Sequence, residues 1–304
     1  MKKVFAFIII ALALPLLSQA CNICGCSVYI GILPDFRKHV FGVRYRYSSL
    51  HSHVGIAGSG RYYTTLEKFN TVEIWGAWNI TSKIRIMGSV PYNFEQLNSA
   101  ATTISKDGLG DIYALGYYKL FGNSHTQKSG KLLSQNLWFG VGIEIPTGKY
   151  DTLDKGKLNE STNFYQLGSG STDVLFNVVY NITLQRTGLN VSSMYKINTV
   201  NKHAYEYGNK FDIHAQAFYK FSIHHKVPVM PNIGIQFENL QRSTDNGHSI
   251  KSSGGNLLLG TIGIETNFKR VAIGANFQTP LQQNLVKGSV TSNNICMAHI
   301  SFTL

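Results

Sequence analysis

The sequence predicts an all-β fold, a transmembrane antiparallel up-and-down β-barrel of about twelve strands. Three observations predict it. Large apolar residues recur at every second position in segment after segment. The connections between those segments alternate between short and long. No apolar run long enough for a helical span follows the N-terminus, so strands are left to cross a bilayer.

The clearest segment is residues 136–151, NLWFGVGIEIPTGKYD. Leu137, Phe139, Val141, Ile143 and Ile145 fall on one face of an extended chain, with Trp138, Gly140, Gly142 and Glu144 on the other. The run matches the roughly nine to eleven residues that a tilted strand needs to cross hydrocarbon. A hydrophobic content of 43% is compatible with this, because a barrel needs apolar residues only on the outward half of each strand.

In chain order, residues 1–20 read as a secretory signal: Lys2-Lys3, an apolar core, then Ser18-Gln19-Ala20 before the cut. Removing it takes the formal charge from +12 to +10, since it holds two lysines and no acid. Residues 21–37 form a cysteine-rich segment, a gate or latch, and residues 38–304 the barrel. Twelve strands are expected, with apolar faces led by Phe41, Val72, Ile84, Ile112, Leu137, Val174, Leu189, Phe211, Val229, Leu258, Val271 and Cys296. The opposite faces carry Arg44, Arg46, Arg85, Lys119, Lys196 and Lys220 against Glu73, Asp111, Glu144, Asp212, Glu238 and Glu265. Bases and acids balance, so the expected lumen is self-neutralising and the surplus positive charge belongs to loops and termini. Connections 79–83, 183–188, 222–226 and 267–270 are short, and the others are long and polar. Residues 122–135 are the exception, a long connection on the short side.

The segment ending Ile145-Pro146-Thr147-Gly148-Lys149-Tyr150-Asp151 resembles the phenol-degradation "MetA-pathway" family of outer-membrane transporters. So do Gly108-Leu109-Gly110-Asp111-Ile112, preceded by Val90-Pro91-Tyr92, and Leu167-Gly168-Ser169-Gly170-Ser171-Thr172-Asp173. The resemblance runs over roughly residues 38–304 and implies a barrel that passes small molecules; it supplies no agreed catalytic residues. Read physically, Gly108, Gly110, Gly148, Gly168 and Gly170 with Pro146, Thr147, Asp111 and Asp173 are turn chemistry, favoured over direct contact with a solute.

Cys21, Cys24 and Cys26 offer three thiols within six residues, able to converge on a soft ion such as copper or zinc. A small disulfide, or lipidation of Cys21, competes with that reading. The histidines, among them His51, His53 and His224-His225, read mainly as solvated loop residues. His299 and Ser301 are similar to the His-x-Ser pair of the outer-membrane phospholipase, but they share the lumenal parity, and the sequence identifies no clear orienting partner for the His. The expectation is a channel or transporter, not an enzyme. Its partners are outer-membrane lipid and a small-molecule solute, with no nucleic acid. The alternatives are a barrel-anchored copper- or zinc-binding surface protein and, third, a lipid hydrolase.

Overall fold

Twelve antiparallel strands close on themselves in a computed structural model that describes residues 39–52, 65–99, 102–154, 163–223 and 227–304. The expected signal, the cysteine segment with Cys21, Cys24 and Cys26, and His53, His224 and His225 lie outside those residues. The strands begin with β1 (Val40–Ser52), β2 (Thr65–Asn79) and β3 (Ile84–Asn98). β4 runs in two segments, Thr103–Leu109 and Ile112–Thr126, followed by β5 (Leu132–Ile145), β6 (Asp173–Leu184) and β7 (Thr187–Ile197). β8 is Lys210–Tyr219 continued by Phe221–Ile223; β9 is Val227–Leu240, β10 Gly255–Phe268 and β11 Val271–Leu285. β12, in the segments Val290–Ser292 and Ile295–Thr303, pairs with β11 on one side and with β1 on the other, and so removes the last open edge.

Each expected apolar face lies on one of these strands and is exposed over most of its length, Val229 at the start of β9 being an exception that is buried. Ile74 is 62% exposed, Ile233 64% and Ile262 58%, and similar residues recur around the barrel. A continuous belt of this kind far exceeds the few hundred square ångströms of apolar patch that a water-soluble protein tolerates. The exterior is therefore built for hydrocarbon. A fifteen-residue strand such as β2 is roughly 50 Å long at about 3.3 Å per residue, more than a tilted strand needs to cross. The surplus rises on the long-loop side as a wall above the apolar belt.

The structure differs from the sequence expectation in several details, among them residues 95–108, read as a loop, where strands run to Asn98 and resume at Thr103. Residues 122–135 are not a loose connection: β4 and β5 continue pairing to Thr126 and Leu132, leaving a tight turn closed by Gln127 N–H on Lys131 O at 2.9 Å. Between Lys119 and Phe121 the register slips, so Leu120 is an extra residue and Leu120 and Phe121 are both exposed. Lys220, expected in the lumen, is instead exposed in the break of β8. Its backbone N–H donates to Arg186 O, in the turn where neighbouring β7 begins, so the strand has already reached the rim there.

Candidate functional site

The site begins at a proline. Pro91 in β3 has no N–H to donate, and β4 leaves the ladder beside it, between Leu109 and Ile112. That break frees Asp111 from strand pairing. Its carboxylate accepts from Gly148 N at 2.9 Å, Ser169 N at 2.6 Å and Ser169 Oγ at 2.7 Å. Thr147 Oγ1 donates to Gly110 O at 2.7 Å and accepts from Ile112 N at 3.0 Å. The three motifs, far apart in the chain, thus meet in one hydrogen-bonded knot. Gly148 and Gly168 pass so close that a Cβ on Gly148 would stand 2.7 Å from Gly168 Cα, which only a bare backbone permits. Asp173 completes the knot, accepting from Ser171 Oγ at 2.8 Å and Thr199 N at 3.0 Å.

The knot aims the β5–β6 loop inward. Residues 163–167 are all buried. Phe164, 1% exposed, belongs to an apolar cluster with Leu50, Phe69, Leu257, Leu259 and Leu285. Those residues come from the inner faces of β1, β2, β10 and β11, whereas β5 and β6 lie about half a turn round the barrel from β11 and β12. The loop therefore crosses the mouth. Lys106 fastens it, donating to Asp154 at 3.0 Å and to Tyr165 O, with its ammonium 3.8 Å from the Tyr165 ring centre. Burial pushes the Tyr165 phenol up to about 12, helped by the charges of Glu95 and Asp154. At the exposed start of the loop, the bond from Lys149 holds Asp151 below the usual carboxylate range, with the Leu153 N–H adding to it. Above, Tyr150 of this loop packs with Tyr205, Tyr207 and Ile250 from the loops after β7 and β9. Those two loops also pair as a small sheet of Tyr205–Glu206, Thr244–Asp245 and His248–Ser249.

Under the crossing loop lies a cavity of about 1100 Å³, its open mouth included. Arg44, Arg46, Lys196 and Lys210 line it with Glu73, Glu95, Asp111 and Glu144. Four cations against four carboxylates give it no preference for either net charge. Phe69, Tyr113, Leu167 and Met297 supply apolar wall. Ion pairs join Arg44 with Glu73 at 2.8 Å, Lys210 with Glu238 at 3.1 Å, and Lys196 with both Glu144 at 2.5 Å and Asp173 at 3.0 Å. Ions this buried persist only because each has an opposite partner close by.

Six of the twelve expected lumen residues therefore share one cavity: Arg44, Arg46, Glu73, Asp111, Glu144 and Lys196. The others sit elsewhere. Asp212 and Glu238 are bridged by Gln236 Nε2 at 2.6 and 2.9 Å. Glu265 reaches across Gly274 to His299 Nε2 at 3.0 Å, and a Cβ on Gly274 would collide with both partners. Arg85 is 1% exposed and donates to Asn79 at 3.0 Å. Lys119, at the short-turn end, donates to Ser82 O at 2.8 Å beneath the Trp138 ring.

Sequence reasoning did not foresee an apolar inner wall. Met87, Leu115, Tyr117, Trp138, Leu175 and Met194, all buried, occupy inward positions on β3 to β7 and form one cluster. Facing it in the circle of strands, β8 to β11 carry amides, with Gln278 Nε2 donating to Gln236 Oε1 at 2.8 Å and Gln216 Nε2 to Asn276 Oδ1 at 3.3 Å. The available signal was loss of alternation: Leu115 and Leu175 are apolar at positions whose parity is inward. Lys210, Glu95 and Phe164 were missed because each sat in a segment read as loop.

No family model and no curated protein matches the sequence. Solved structures do resemble it. An outer membrane channel from Pseudomonas putida F1 aligns with a TM-score of 0.56 at 10% identity, covering 95% of this chain and 99% of that one. The β domain of the Bordetella autotransporter BrkA gives 0.44 at 9% identity over 88% of this chain and all of its own. The NanC porin gives 0.37 at 10% identity, with 88% and 100% covered. At such identities the likeness to the first establishes a shared outer-membrane barrel fold, and the other two add no argument.

Proposed function

We propose that the protein is an outer-membrane channel for a small solute, selective rather than wide. One observation carries the reading: the β5–β6 loop crosses the mouth and leaves beneath it a bounded cavity lined by paired charges. A solute entering that cavity must exchange its hydration for contacts with paired ions and an apolar wall, so fit decides passage more than net charge. The fold shared with an outer membrane channel supports the same reading. No covalent chemistry is required. His299 bonds to Glu265 inside the barrel, and Ser301 is buried with lumenal parity, so neither is presented to lipid as a hydrolase would need.

The test is reconstitution of the mature chain in planar bilayers and liposomes. Small discrete conductances, with flux that stops at larger solutes, are expected. Sealed bilayers and no solute flux under any metal or redox condition would overturn the channel. Placement is checked by fractionation and by the shift between boiled and unboiled samples on a gel.

A second reading keeps the spacing of Cys21, Cys24 and Cys26 in view: a copper or zinc ion held by the N-terminal segment, linked to gating or replacing transport. Metal content of reduced protein, unchanged by Cys24→Ser and Cys26→Ser, would remove it.

A further inference from the structure

The surplus positive charge of the chain is not spread over its loops. It gathers on the short-turn rim. The β2–β3 turn carries Lys83, the β4–β5 turn Lys128 and Lys131, and the β6–β7 turn Arg186; all are exposed. Lys220, in the break of β8, and the Lys269-Arg270 pair, in the β10–β11 turn, are also exposed and continue the ring. None of these turns contains Asp or Glu in the sequence. At the opposite end cations and carboxylates mix, as in the Lys149–Asp151 pair at 3.0 Å.

Tertiary structure concentrates two of these charges. Lys220 N–H donates to Arg186 O at 2.6 Å, so side chains more than thirty residues apart leave the backbone side by side. Neither side chain has an ion pair or hydrogen bond among the described residues. Large exposed apolar groups lie close to both in the chain: Leu184, two residues before Arg186, is 37% exposed, and Tyr219 and Phe221, on either side of Lys220, are 47% and 38% exposed. A protein partner with acidic residues would need only the cations. Cations beside exposed aromatic and aliphatic groups, at the edge of the hydrocarbon belt, fit a molecule with an anionic head and an acyl tail.

We infer that Arg186 and Lys220, with Tyr219 and Phe221, form a binding site for an anionic phospholipid of the adjoining leaflet. The two cations take the headgroup phosphate and the rings pack on the first methylenes of the acyl chains. The inference depends on membrane placement, not on transport: a barrel that conducts nothing still has this rim.

Native mass spectrometry of the full mature chain in detergent tests it, with phosphatidylglycerol and phosphatidylcholine of identical acyl chains as probes. Phosphatidylglycerol should bind about tenfold more tightly, and Arg186→Gln with Lys220→Gln should abolish that preference. The same double variant should keep its melting temperature and its conductance. Lys149→Gln with Lys287→Gln, at the other end, should change nothing. Equal binding of the two lipids, an unchanged preference in the double variant, or displacement of the lipid by inorganic phosphate or an acidic peptide would overturn the site. Failure to insert into bilayers at all would instead overturn the channel.

Discussion

Asp111 accepts both the backbone N–H and the hydroxyl of Ser169, 58 residues further along the chain, at 2.6 and 2.7 Å. One carboxylate thereby sets where the crossing loop leaves the barrel wall. Asp111→Ala removes three charge-assisted bonds, at a cost of about 2–4 kcal/mol after solvent and relaxation take their share. Protease cleavage within residues 146–172 should become much faster while the barrel itself stays folded. An unchanged cleavage rate would show that the knot does not hold the loop.

Phe164 holds the far end. Phe164→Ala empties its place in the cluster with Leu50 and Leu257, a loss of about 3–5 kcal/mol for a fully buried ring. A loop tethered at one end can relieve that loss by swinging away. Single-channel conductance should therefore rise severalfold and the size limit for solutes should relax, both measured on the same reconstituted protein.

Lys196 stands between Glu144 and Asp173, which are 2% and 0% exposed. Lys196→Met leaves two buried carboxylates without their shared counter-ion, and destabilisation of about 3–5 kcal/mol is expected. The melting temperature in detergent reads this directly. Lys196→Arg, which keeps the charge, should recover most of the loss.

Gly274 keeps clear the path between strands along which Glu265 meets His299. Gly274→Ala should separate that pair, lower the melting temperature and leave Phe164 seated, so protease resistance of the loop should match wild type. Ser301→Ala should be silent: purified protein with phosphatidylethanolamine should yield no lysolipid, with or without the substitution. Lysolipid that disappears in Ser301→Ala would revive the hydrolase reading.

Much of the barrel was legible because strand geometry is a local rule. A period of two sorted Phe139 and Ile143 from Glu144 without knowledge of any neighbour, and the same parity placed Arg44 and Glu73 on one inner surface. Lys220 failed because parity says nothing about where along its axis a strand leaves the wall. Leu120 shows the other weakness, since one extra residue reverses every face beyond it.

The residues alone determined that the chain is all-β, how many strands it has and which face of each is apolar. Those properties follow from alternation along a single extended segment. Only the closed structure decided that Asp111, Thr147, Gly148 and Ser169 form one knot, that Phe164 spans the mouth, and that Arg186 stands beside Lys220. Each of these is a meeting of distant backbone positions, set by strand register around the closed circle, and register is a property of paired strands.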